Sequence, residues 1–144
     1  MIHVVIPNSR INRDVHRALG LLEYINSTCY ELEVKYGAVP YWLVIKYIHM
    51  EGIQVLPAAF GPPSTMFLNG ILIPRLWNAD KSSTRIIIKA AIAHECLHWN
   101  FYRTNNHPEN EEELCEKFGA DEVNMTVTQL QSLDWKVFAG AFRK

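Results

Sequence analysis

Two histidines and a glutamate stand within five consecutive residues of this chain, in the pattern HExxH formed by His94, Glu95 and His98. Side chains four residues apart lie on one face of an α-helix, so both imidazoles can reach a single metal ion, for which zinc is the usual partner. Glu95 is turned about 100° from His94, so it flanks the ion and can exchange a proton with water there. Chance alone gives about 0.02 such patterns per chain of this composition. The sequence therefore predicts a Zn²⁺ site for hydrolysis, with Glu95 as general base.

A catalytic zinc site needs a third protein ligand and keeps one position open. The candidates after the motif are carboxylates and one more histidine: His107, Glu109, Glu111, Glu112, Glu113, Glu116 and Asp121. At 100° per residue, Glu112 and Asp121 border the two edges of the apolar arc of their predicted helix, whereas Glu113 points to solvent. This pattern leaves Glu112 and Asp121 open as the third ligand, with His107 as an option from the preceding loop.

The elements that must position these residues follow from hydrophobic periodicity. A helix is predicted from Ser82 or Ser83 to about Phe101, followed by a loop over 104–108. Asn110 with Glu113 three residues later resembles a capping box, which would open a helix. A last amphipathic helix is predicted from Thr128 to the end of the chain.

The chain before the motif predicts a small sheet and a long helix. His3 to Ile6 is typical of a short strand, and a single amphipathic helix is predicted from the N-cap Asn12 to Gly37. Four further elements are predicted: a helix from Tyr41 to Met50, a strand from Ile53 to Leu56, a loop from Ala58 to Ser64, and a β-hairpin joining Met66–Leu68 to Ile71–Ile73 through Asn69-Gly70. The expected class is α+β: a small β-sheet with a hairpin, packed against a long amphipathic helix and the HExxH helix.

Length and composition favour one domain over residues 1–144 that folds without a structural metal or disulfides. The chain is 49% hydrophobic, with 14 Lys and Arg against 15 Asp and Glu, and its three cysteines match no metal-binding knuckle. A formal net charge of −1 argues against direct binding to nucleic acid or an anionic membrane. Without a predicted signal peptide or membrane span, a cytoplasmic protein is expected.

Beyond the motif, residues 40–125 resemble the ImmA/IrrE family of zinc peptidases. The resemblance rests on the segments Gly52–Val55, Gly70–Ile73, Arg85–Ala93, His94–His98 and Glu112–Ala120. It implies a minimal zincin-like, gluzincin-type metallopeptidase that hydrolyses a peptide bond in a protein substrate. The substrate it implies is a transcriptional repressor in phage or stress regulation.

For the site, the same resemblance implies zinc bound by His94, His98 and Glu112, with Glu95 as general base. It thereby selects Glu112 from the alternatives that spacing leaves open. A substrate strand is expected to add to the sheet edge near Met66 to Ile73.

Two alternatives remain open at this point. The run from His94 to Trp99, followed by His107, is loosely similar to SprT-like zinc proteases, in which a histidine is the third ligand. The other alternative is a non-catalytic zinc-binding module with a regulatory or interaction role. The sequence does not identify the oligomeric state.

Overall fold

The computed structural model describes residues 2–37, 39–48 and 57–141. Within these ranges it contains four strands and six helices, which confirms the α+β class. In chain order they are β1 (His3–Val5), α1 (Ser9–Arg17), α2 (Leu21–Tyr36), β2 (Trp42–Lys46), β3 (Ala58–Gly61), β4 (Thr65–Asn69), α3 (Leu72–Ala79), α4 (Lys81–Arg103), α5 (Glu111–Glu122) and α6 (Val127–Ala141).

The four strands form one sheet in the order β1-β2-β4-β3. β2 pairs in parallel with β1 and with β4, and β3 pairs antiparallel with β4. β4 is therefore an interior strand, and β3 borders the sheet on the side nearest α4. The sheet edge predicted for substrate near Met66 is consequently wrong, because both sides of β4 are already paired.

The helix predicted from Tyr41 to Met50 is wrong where the structure describes it. Trp42 to Lys46 forms β2, with Leu43 and Ile45 buried and Trp42 exposed, which is the alternation of a strand with one face on a core. Backbone pairing on both sides of β2 outweighs the local helical signal. The strand predicted from Ile53 to Leu56 lies outside the described residues.

The hairpin predicted at Asn69-Gly70 is a strand-to-helix corner instead. The Oδ1 atom of Asn69 accepts hydrogen bonds from the backbone N–H groups of Ile71, at 3.2 Å, and Leu72, at 3.1 Å. These bonds satisfy donors at the start of α3, so the chain continues as a helix. A Cβ atom on Gly70 would lie 2.5 Å from Cγ2 of Ile11, so the corner also needs the small residue for close packing.

The segment predicted as a loop, Ala58 to Ser64, contains a strand. Ala58–Gly61 is β3, and only residues 62–64 form the turn to β4. The hairpin of this protein is thus β3–β4, and its turn at residues 62–64 precedes the predicted turn at Asn69-Gly70.

The single helix predicted from Asn12 to Gly37 is two helices. Asn8, not Asn12, is the N-cap of α1, since its Oδ1 accepts from the N–H of Ile11 at 3.0 Å. The chain breaks at Ala18, which is extended, and at Gly20, whose φ of +85° is costly for residues with a Cβ. The Trp77 indole donates to the Leu19 carbonyl at 2.9 Å and so fixes the break.

The main core joins the helices to the inner face of the sheet. It is formed by α1, α2 and α4 with β2 and β4, and its fully buried members include Leu21, Ile25, Leu43, Leu68 and Ile92. Because α4 contributes Ile88, Ile92 and Ala93 to this core, its orientation is fixed by apolar packing.

The HExxH helix is confirmed, and it extends over 23 residues from Lys81 to Arg103. Asp80 caps its start, accepting from the N–H of Ser83 at 3.1 Å. In the described ranges, no helix is both long enough and apolar enough to cross a lipid bilayer.

The last two helices are close to their predicted places, but their starts differ in chemistry. The Asn110 side chain makes no capping hydrogen bond, so the predicted capping box is absent. A reciprocal box opens α6: Gln129 N–H donates to Thr126 Oγ1 at 3.1 Å, and Thr126 N–H donates to Gln129 Oε1 at 3.0 Å.

Candidate metal centre

The structure brings His94, His98 and Glu112 together, with one donor atom from each within 4.8 Å of the others. The Glu112 carboxylate lies between the two imidazoles. Its Oε1 is 2.9 Å from Nε2 of His94, and its Oε2 is 2.9 Å from Nε2 of His98. Both imidazoles therefore present the same ring nitrogen to one carboxylate.

Close packing of two consecutive helices sets this arrangement. The histidines are one turn apart on α4, with ring centroids separated by 5.0 Å. A Cβ atom on Gly119 of α5 would lie 2.6 Å from the carbonyl oxygen of Ala90 and 3.5 Å from Cβ of His94. The absent side chain lets α5 lie against α4, and two turns earlier on α5 Glu112 faces the histidines.

The donor set fits zinc. Two neutral imidazoles and one carboxylate are the ligands of a well-known class of catalytic zinc site, and bond lengths of 2.0–2.2 Å place tetrahedral donors about 3.3–3.6 Å apart. The distances of 2.9 Å from the carboxylate oxygens to the two ring nitrogens are about 0.4–0.7 Å shorter than that separation. The Glu112 side chain is largely exposed, so its carboxylate has room to move outward as an ion binds.

The other candidate ligands lie outside this cluster. Asp121 is exposed on α5, nine residues beyond Glu112. His107 places Nδ1 2.6 Å from Oε1 of Glu111 and not at the metal ligands. Of the three third ligands considered from sequence, the structure therefore brings only Glu112 to the two histidines.

Glu95 is buried beside the cluster, with 8% of its surface exposed. Its Oε1 is 4.0 Å from Nε2 of His94, and both residues line the same cavity. Burial raises the pKa of the Glu95 carboxyl to about 7, against the opposing effect of His98. A carboxyl group so placed can exchange a proton with a molecule in the cavity without acting as a ligand.

Glu111 was only one of the candidate third ligands from sequence, and its contact with the second nitrogen of His98 was not expected. Its Oε2 lies 2.7 Å from Nδ1 of His98, and its other oxygen contacts His107. Slight burial raises the pKa of Glu111, but the hydrogen bonds from His107 and His98 outweigh it and lower the pKa. A signal was available: a ligating histidine needs an acceptor for its second nitrogen, and carboxylates cluster at the start of the next helix.

The two histidines of the HExxH motif differ in electrostatic environment. Burial lowers the pKa of His94 and outweighs the attraction of Glu112. Burial also acts to lower the pKa of His98, but its contacts with Glu111 and the charges of Glu95 and Glu112 raise it overall. Since ligation requires the neutral imidazole, His94 is the ligand more readily available near neutral pH.

The cysteines take no part in the cluster. All three are free, as expected. Cys96 contacts Met66, with 3.9 Å between the sulfur atoms, and burial raises the pKa of the buried Cys115 thiol to about 12. Both therefore remain protonated packing residues at neutral pH.

A cavity of about 260 Å³ is lined by two members of the cluster, His94 and Glu112, and by Glu95. It is bounded by the start of β3 and by α4, α5 and α6. No lysine or arginine is among the described residues that line it, whereas His94 and four carboxylates are: Glu95, Glu112, Glu116 and Asp134. The cavity is thus large enough for part of a ligand and is negatively charged.

Comparisons were made with protein-family models, with curated proteins and with solved structures. None of the three gives a match to this chain. The case for a function accordingly depends on the chemistry of the residues and on the resemblance carried by the motifs.

Proposed function

We propose that this protein is a zinc-dependent metallopeptidase with the zincin-like organisation of the ImmA/IrrE family. The observation that carries the proposal is the Glu112 carboxylate, which lies 2.9 Å from Nε2 of both HExxH histidines. His94, His98 and Glu112 hold the ion, and Glu95 is the general base.

Zinc bound by these three side chains would be a Lewis acid that lowers the pKa of the attacking water and polarises the carbonyl group of the substrate. Glu95 moves the proton. Its carboxylate accepts a proton from the attacking water and donates it to the leaving amine nitrogen as the peptide C–N bond breaks. Glu111 accepts a hydrogen bond from His98 Nδ1 and so keeps Nε2 free for the metal.

The substrate is proposed to be an extended peptide that adds to β3. β3 pairs with β4 on one side and with no other described strand, and its first residue, Ala58, lines the cavity with Pro57. A peptide along that border would carry its backbone past Glu95. The family resemblance makes a repressor protein the proposed source of this peptide.

The SprT-like alternative has less support. It requires His107 as the third ligand, but His107 contacts Glu111 at 2.6 Å, while Glu112 occupies the ligand position. The non-catalytic alternative gives no role to the buried Glu95 beside the ligands.

The first experiment measures metal content by elemental analysis in the wild type and in the His98→Ala variant. We expect about one zinc per chain, lost in the variant. Glu95→Gln, which keeps the ligands, should retain zinc but lose hydrolysis of a peptide library. Peptide hydrolysis that survives Glu95→Gln would overturn the assigned mechanism, and a folded wild type that takes up no zinc would overturn the site.

A further inference from the structure

Asp134 of α6 is a partly buried acidic residue that the proposed reaction does not use. Its Oδ1 atom is buried and has no hydrogen-bond partner. Asp134 also lines the cavity that contains His94 and Glu95. Burial raises the pKa of this carboxyl to about 6, so it is mainly ionised at neutral pH. A buried charged oxygen without a partner is unfavourable until something neutralises it.

Packing around Asp134 shows where it lies in the cavity. Its neighbours on α6, Leu133 and Val137, belong to the same apolar cluster as Ile87 of α4, which also lines the cavity. Ile87 and His94 are seven residues apart on α4, which is about 10 Å along a helix. Asp134 thus lies at one end of the cavity and the metal ligands at the other.

The wall between these two ends suits an apolar chain. Apart from Gln131, small or apolar side chains line it: Ala90 and Ala91 on α4, and Val127 and Leu130 on α6. Glu116 adds a further carboxylate, and no basic residue of the described chain opposes either charge there. The cavity therefore combines an apolar passage with a negative end, which suits a group that has an apolar stem and a cationic head.

Lysine and arginine side chains have that composition. Their length also fits, because an extended lysine side chain reaches about 6 Å and one further peptide residue spans about 3.5 Å. Together these lengths match the distance of about 10 Å along α4. A basic residue next to the reacting peptide bond can therefore place its cationic head beside Asp134.

We propose that this cavity is a specificity subsite for a lysine or arginine adjacent to the cleaved bond, with Asp134 as acceptor for the cationic head. This inference rests on the proposed peptidase function for the bond that reacts. The pairing itself needs only the cavity and the Asp134 carboxylate, so it can be tested by binding.

The test uses two fluorescent, N-acetylated pentapeptides, Ala-Ala-Lys-Ala-Ala and the same peptide with norleucine in place of lysine. Binding to the Glu95→Gln protein is measured by fluorescence polarisation, with and without added zinc. We expect the lysine peptide to bind about 10- to 100-fold more tightly, as for a charge-assisted hydrogen bond. Adding Asp134→Asn should abolish this preference, whereas adding Asp121→Asn, at an exposed position, should leave it unchanged.

A matching cleavage experiment uses the wild type and a random peptide library, with products identified by mass spectrometry. We expect the cleaved bonds to be flanked by lysine or arginine, and this preference to disappear in Asp134→Asn. Binding that depends on lysine and Asp134, without any cleavage, would support the subsite and overturn the peptidase function.

Three results would overturn the subsite. The first is equal binding of the two peptides, which includes no binding of either. The second is a lysine preference that persists in Asp134→Asn. The third is tighter binding of the same peptides without the acetyl group, whether or not they contain lysine. The last result would assign the cavity to a chain terminus. Circular dichroism of each variant confirms that it is folded.

Discussion

Oε2 of Glu111 lies 2.7 Å from Nδ1 of His98, and this contact determines which nitrogen of the histidine is free to bind a metal. Carboxylates contact both ring nitrogens of His98, so without a metal both nitrogens donate and the ring is cationic, in keeping with its raised pKa. A metal would replace the proton on Nε2, while Glu111 goes on accepting the Nδ1–H. Glu111 and Glu112 thus act on opposite sides of one imidazole although they are adjacent in sequence. Glu111 orients the ring, and Glu112 is proposed to bind the same metal ion as His98.

Glu111→Gln should weaken zinc binding by about 10- to 100-fold, because the amide is a weaker acceptor and no longer fixes the ring. A competition titration with a zinc chelator measures the change. Glu113→Gln is the matched control, since Glu113 is exposed on the same helical turn. Equal affinities for the two variants would contradict the role given to Glu111.

Glu112→Ala should reduce zinc affinity by more than Glu111→Gln does, because it removes a donor atom and not only its orientation. Asp121→Ala should leave affinity unchanged, since Asp121 is exposed and lies outside the cluster. The same titration compares the two. The reverse order of effects would transfer the third ligand to Asp121.

Gly119→Ala should destabilise the protein by about 1–3 kcal/mol, the usual cost of overpacking. The added Cβ would stand 2.6 Å from the backbone oxygen of Ala90, so α5 must move away from α4. The resulting displacement should also weaken zinc binding. Urea unfolding measures the stability, with Lys117→Ala, at an exposed position of α5, as control. A variant with unchanged stability and zinc affinity would show that the two helices tolerate wider spacing.

Asp134→Asn should stabilise the metal-free protein at neutral pH. Folding raises the pKa of Asp134 from 3.8 to about 6, so the native state binds this proton more tightly than the unfolded state. The associated stability is present below pH 4 and is lost as the pH rises through 6. With a discount for partial exposure, the variant should gain about 1–2 kcal/mol above pH 7.

The pH dependence of that gain is the decisive measurement. Urea unfolding of wild type and Asp134→Asn, in the presence of a chelator, should give a difference that is largest at pH 7.5 and shrinks towards pH 5. A difference independent of pH would mean that the Asp134 carboxyl has an ordinary pKa in the folded protein.

The elements that carry the ligands could be predicted from sequence because each signal is local. The apolar period before His94 fixes the face of α4, and the four-residue spacing brings His94 and His98 together. Helical angles alone make Glu112 and Asp121 equally good candidates for the third ligand, and the family resemblance favours Glu112. In the structure the missing Cβ of Gly119 lets α5 approach α4, and Glu112 rather than Asp121 lies beside the histidines.

The sheet was harder to predict because its strands depend on partners distant in the chain. The apolar run from Trp42 to Lys46 suits either a helix or a buried strand, and only pairing with β1 and β4 decides. Asn69-Gly70 is common in tight hairpins, but the same amide side chain can equally serve the first N–H groups of a helix. Asp134 gave no signal, because a lone carboxylate on a helix is ordinary until its burial is known.

All three proposed ligands belong to one helical hairpin, α4–α5, and His98 and Glu112 are separated by only a short connection. Closing so short a loop costs little chain entropy, so this pair of helices can dock early in folding, before the distant strands meet. An ion bound there would stabilise the contact between α4 and α5. Hydrogen exchange should then report metal removal as faster exchange in α5, with β1 and β2 almost unaffected.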